Sequence, residues 1–124
     1  MSDDLYEAGL KARREVLGDA RVGKMLAEIT DFDRDWRRFV TESAWGSIWA
    51  RPGLTRRERS LIVIAILGAL GRADELATHT RATANTGATP DDLKEVLFHI
   101  GGYAGIPAGM SAYRVIKKTL EDMK

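Results

Sequence analysis

The sequence contains no cysteine, only three prolines and only two histidines among 124 residues. Without a thiol there can be no disulfide, no thiolate metal site and no thiol redox chemistry. Charge of one sign is also missing: 19 basic residues against 18 acidic ones leave a formal charge of +1. That balance gives no electrostatic reason to expect a nucleic-acid or anionic-membrane partner. The longest apolar run, "LIVIAILGAL" at 61–70, falls well short of the ~20 residues that span a bilayer. The opening "MSDDLYEAGLKARREVLGD" has no apolar core of the kind a secretory signal carries. No membrane association is expected, and a soluble, cytoplasmic protein is. Internal repeats, low-complexity tracts and linkers are absent as well, so the reading is a single domain over residues 1–124.

What is present is helical punctuation. Leu5, Leu10, Val16 and Leu17 among charged residues predict an amphipathic helix ending near Gly18. "VGKMLAEIT" is a short second helix, and Phe32, Trp36, Phe39, Val40 and Trp45 continue at helical spacing from about Asp31. "RPG" at 51–53 breaks the chain. Thr55 with Glu58 forms a capping-box pattern ahead of the apolar run. A helix apolar on all sides must be buried, in the domain centre or in a subunit interface. "DELATHTRATANTG" (74–87) follows, closed by Gly87. Thr89 and Pro90 then open a helix whose apolar face is Leu93, Val96, Leu97 and Ile100. A last helix is expected from about Ala108 to Met123. With no strand alternation anywhere, the fold class is all-α, with roughly six helices.

The 74–87 helix is unusual, because Leu76 is its single large apolar residue. A helix so poor in core residues lies outside the core or lines a polar cavity. Glu75 and His79 stand four positions apart on one face, with Thr83 continuing the stripe. A carboxylate beside an imidazole orients the ring and favours its protonated form, a proton donor near neutral pH; the alternative is an ordinary surface ion pair. Metal binding is not expected, since these two groups and the distant His99 match no dedicated ligand spacing. Arg59, where a charged helix start meets the apolar run, can clamp a carboxylate or pair with a nearby acid. Trp45 and Trp49, also four apart, can wall a pocket for a flat ring or simply pack. Gly101-Gly102 inside a helical pattern costs stability and points to close approach of another backbone or a ligand.

The long stretch "AWGSIWARPGLTRRERSLIVIAILGALGRADELATHTRATANTGATPDDLKEVLFHIGGYAGIPAG" strongly resembles the γ-carboxymuconolactone decarboxylases, with similarity over nearly the whole chain. The resemblance implies an all-α subunit shared with alkyl hydroperoxidase D-like proteins, assembled as a homo-oligomer, trimer or hexamer. It implies a carboxy-lyase of the β-ketoadipate route of aromatic catabolism, needing no cofactor and acting on a lactone dicarboxylate. In the peroxidase relatives a Cys-x-x-Cys pair precedes a histidine matching His79. By that spacing Arg72 and Glu75 occupy the cysteine positions here, which favours decarboxylase over thiol peroxidase. On this reading His79 and Glu75 are catalytic, and Arg59, Arg81, Trp45 and Trp49 bind substrate. Thr86 and Gly109-Met110 depart from the family pattern, which leaves open a related lactone acid as substrate, or a helical scaffold without activity.

Overall fold

In a computed structural model the chain is described from residue 2 to residue 124. It comprises seven α-helices rather than six, and no strand among the described residues. These are α1 (Ser2–Leu17), α2 (Asp19–Ala27), α3 (Arg34–Val40), α4 (Arg56–Leu70), α5 (Ala73–Thr86), α6 (Pro90–Ala104) and α7 (Ile106–Asp122), with a π-helical segment, Thr41–Trp49, continuing α3. They gather into two compact units, one ending at Thr55 and one beginning at Arg56.

In the N-terminal unit α1 packs along the π-helical segment. Ala12, Val16, Val22, Trp45 and Trp49 are buried. Gly9 and Gly46 permit the contact. A methyl added at Gly9 would collide with the Thr41 carbonyl oxygen and lie 2.8 Å from the Gly46 nitrogen. A methyl at Gly46 would lie 2.6 Å from the Leu5 carbonyl oxygen. From Trp36 on, the apolar residues placed at helical spacing do lie on helix, but in different surroundings. Phe32, Trp36 and Phe39 are exposed, and the buried side begins at Thr41. α2 also starts three residues earlier than expected. Gly18, at φ 94°, absorbs the whole reversal, and helix resumes at once.

In the C-terminal unit Ile64, Leu76, Leu93, Val96, Ile100, Ala112 and Ile116 form the core. α4 is buried on one side only. Ile64 and Gly68 face the core, while Ile62, Ile66 and Leu70 are exposed. Gly68 fits α4 against Ile100 and Ala112; a methyl there would meet Ile100 Cδ1 at 2.6 Å. α5 ends at Gly87 in the left-handed conformation, as its glycine foretells. α7 begins two residues before the expected start, because Pro107 occupies the first helical turn, where its missing N–H costs nothing.

The start of α6 is tied down twice. Thr89 Oγ1 accepts from Asp92 N at 3.1 Å, and the Asp92 carboxylate accepts from Thr89 N at 3.0 Å. The same carboxylate takes two hydrogen bonds from Arg57, at 2.9 and 2.6 Å. The Arg57 bonds first, and the Thr89 backbone bond next, pull the Asp92 carboxyl down to about 2. A depressed carboxyl stabilises the fold fully above its unfolded value, about 3.9, and that contribution is lost as pH falls through about 2. The expectation is that Asp92→Asn lowers the urea midpoint at pH 7. The gap to the parent should close as pH drops from about 4 towards 2; a gap constant with pH would rule this out.

Candidate functional site

α5 shows how a helix with one leucine joins a core. Leu76, Thr80, Ala82, Thr83 and Thr86 are buried. Two threonine hydroxyls are satisfied within the helix: Thr80 Oγ1 donates to Leu76 O at 2.7 Å and Thr83 Oγ1 to Thr80 O at 2.6 Å. A threonine bonded back to its own helix is buried without an orphaned hydroxyl. Its small volume also lets α4 and α7, both packed on α5, come close. The helix therefore neither lies outside nor forms a wholly polar wall; it is a close-packed element with a chemical edge.

His79 rides that edge. It is half-buried, and its Nδ1 is shut off from solvent. Glu75, one turn earlier, is exposed. Arg59 is buried at 8% exposure, with Nε shut off from solvent, on the helix that packs directly against α5. Beside it Ser60 is fully buried, and its Oγ makes no hydrogen bond. A buried hydroxyl left without a partner is a cost that packing alone does not explain. Ser60 carries no recognisable pattern, and the sequence alone does not single it out. Arg81 follows His79 by two positions, about 200° around the helix, and is exposed.

Trp45 and Trp49 belong to the N-terminal unit. They are buried and stacked on each other, with ring centroids 5.2 Å apart and planes at 24°. Arg13 lies over Trp45, 5.8 Å from its centroid. His99 is exposed, its Nδ1 3.0 Å from Glu95 O. The close approach expected at Gly101-Gly102 occurs at the first glycine. A methyl on Gly109 of α7 would lie 3.1 Å from Gly101 Cα, whereas Gly102 is open. Among the described residues no three His, Asp or Glu side chains gather as a metal-binding group. Nor is any described helix long and apolar enough to cross a membrane.

Known proteins are similar to this chain in sequence. The 4-carboxymuconolactone decarboxylase of Acinetobacter baylyi is 46% identical over 118 residues, covering 95% of this chain and 88% of its own. The nitrosuccinic acid decarboxylase of Metarhizium robertsii is 38% identical over 119 residues, 96% of this chain and 83% of its own. A 4-carboxymuconolactone decarboxylase from Pseudomonas putida is 42% identical over 41 residues, 33% of this chain and 85% of its own. The profile of the carboxymuconolactone decarboxylase family matches residues 34–118, a span that holds Glu75, His79, Arg59, Arg81, Trp45 and Trp49 alike. The chain belongs to the carboxymuconolactone decarboxylase family.

Proposed function

We propose that this chain is a cofactor-independent carboxy-lyase that converts 4-carboxymuconolactone to the β-ketoadipate enol-lactone, a cytoplasmic step of aromatic catabolism. One observation carries the proposal: 46% identity to a 4-carboxymuconolactone decarboxylase across nearly the full length of both chains. The substrate's chemistry fits a protein that brings no electron sink. As the ring carboxylate leaves as CO₂, the C–C bonding pair moves through the ring double bond into the lactone carbonyl. An oxyanion forms on a furan-like ring and collapses as a proton reaches carbon. The protein has four tasks: to hold the dicarboxylate, stabilise the oxyanion, exclude water and deliver the proton.

His79 is the proton donor in this reading. Its half-buried position allows one ring edge to meet a substrate while the ring stays fixed by packing. Glu75 orients it and returns a proton from solvent. Arg59 clamps the carboxylate that remains; it is buried, and a guanidinium binds a carboxylate through two parallel hydrogen bonds. Arg81, on the other side of α5, would meet substrate only from a different approach, such as a neighbouring subunit. Trp45 and Trp49, buried and stacked on each other, fit the packing of the N-terminal unit, the other reading their spacing allowed. The single-domain reading is supported by a family match that runs across the division between the two units. Assembly as a trimer or hexamer is supported by exposed Ile62, Ile66 and Leu70 on α4, and by Phe98, Tyr103 and Ile106. A monomer rarely leaves that much apolar surface in water.

A second reading, decarboxylation of a related small diacid, draws on the 38% identity to a nitrosuccinic acid decarboxylase. It also draws on the departures at Thr86 and Gly109-Met110. Purified protein mixed with each acid, without added metal or cofactor, separates the two readings by CO₂ release. Carboxymuconolactone is expected to be turned over fastest. Release from neither acid would overturn the assignment.

A further inference from the structure

We propose that the N-terminal unit carries a second ligand site, an anion-binding cleft between α1, α2 and α3 that takes a small oxyanion, carboxylate or phosphate. The cleft has a volume of about 260 Å³ and is lined by Arg13 from α1, Arg21 and Lys24 from α2, and Arg37 from α3. Against these four cations the described lining offers one acid, Glu28. The volume suits a small dicarboxylate or a phosphate.

Three features make this a built site and not a chance surface cluster. Arg13 is held in place: its guanidinium donates to Thr41 Oγ1 at 3.2 Å and lies over the Trp45 ring. Its Nε is shut off from solvent and makes no hydrogen bond. Arg37 is held as well, through Asp33 at 3.4 Å. The charges crowd one another. Burial first, then the Arg37 and Arg21 charges, push the Arg13 guanidinium down from its ordinary range. Converging like charges in a half-buried cleft oppose folding, and an anion seated among them relieves that repulsion while guanidinium forks match its oxygens. The arginines come from three helices, so the fold itself gathers them.

Thermal unfolding at constant ionic strength tests the site, with chloride replaced by inorganic phosphate in one arm and by succinate in the other. Either anion, or both, is expected to raise the melting temperature by a few degrees, roughly, as its concentration passes the dissociation constant. The two arms tell phosphate from carboxylate. Arg21 and Lys24 are exposed, so the double variant Arg21→Gln/Lys24→Gln should fold and lose most of the shift. Arg114→Gln, on the exposed side of α7, should keep it. Absence of a shift with both anions would overturn the site. So would a shift that survives undiminished in the double variant.

Discussion

His79→Ala is expected to leave the fold intact and to lower kcat on carboxymuconolactone by roughly 10²–10⁴-fold, the usual contribution of a positioned general acid. The structure separates these two effects. His79 is half-buried at the edge of α5, and the residues that seat the helix are Leu76, Thr80 and Thr83. Alanine is also the best helix former, so the melting temperature should stay within a few degrees, roughly. KM should change little, because a proton donor acts in the transition state more than in binding. Arg59→Lys should show the reverse pattern, a raised KM from loss of the two-pronged carboxylate clamp. Glu75→Gln should fall between the parent and His79→Ala in kcat, since an orienting group assists the donor without replacing it. Steady-state kinetics on the three variants, with circular dichroism on each, reads all of this. Full turnover by His79→Ala would remove it from the mechanism.

The largest stability effect is expected at a residue with no side chain. Gly9→Ala should destabilise the N-terminal unit by about 3 kcal/mol, the upper part of the range for overpacking. Alanine in place of glycine ordinarily strengthens a helix by up to about 1 kcal/mol. Here the clash outweighs that gain, because the methyl meets the Thr41 carbonyl and the Gly46 nitrogen. Both are backbone atoms, and neither can turn aside as a side chain could. Gly23→Ala is the matched control. Gly23 also lies within a helix, but a methyl there meets nothing within 4 Å, so a small gain in stability is expected. The emission of the stacked Trp45–Trp49 pair in a denaturant titration reports the unit directly. Equal midpoints for Gly9→Ala and Gly23→Ala would mean that the backbones do not need this approach.

The helices that carry the candidate site were legible because their signals are local. Thr89, Pro90 and Asp92 mark the start of α6 within four residues, and Gly87 marks the end of α5 by itself. The pairing of Glu75 with His79 on one face follows from helical pitch alone. The change from α to π winding was not legible, since nothing in 31–49 announces it. Burial in the same segment was not legible either. Phe32, Trp36 and Phe39 are exposed, and helical spacing tells which residues share a face, not what covers it.

Sequence by itself determined the all-α class, most helix ends, the absence of thiol chemistry and, through resemblance, the family. Each rests on residue identity or on contacts a few positions long. Only the tertiary structure decided that the threonines of α5 pack into the core, their hydroxyls bonded to their own helix. Only it placed Arg59 out of solvent, left Ile62, Ile66 and Leu70 uncovered, and fitted Gly9 against the backbone of Thr41 and Gly46. It also drew Arg13, Arg21 and Arg37 from three helices into one cleft. These facts depend on which elements meet in space, and pairs as distant as residues 9 and 46 have no periodicity that records their meeting.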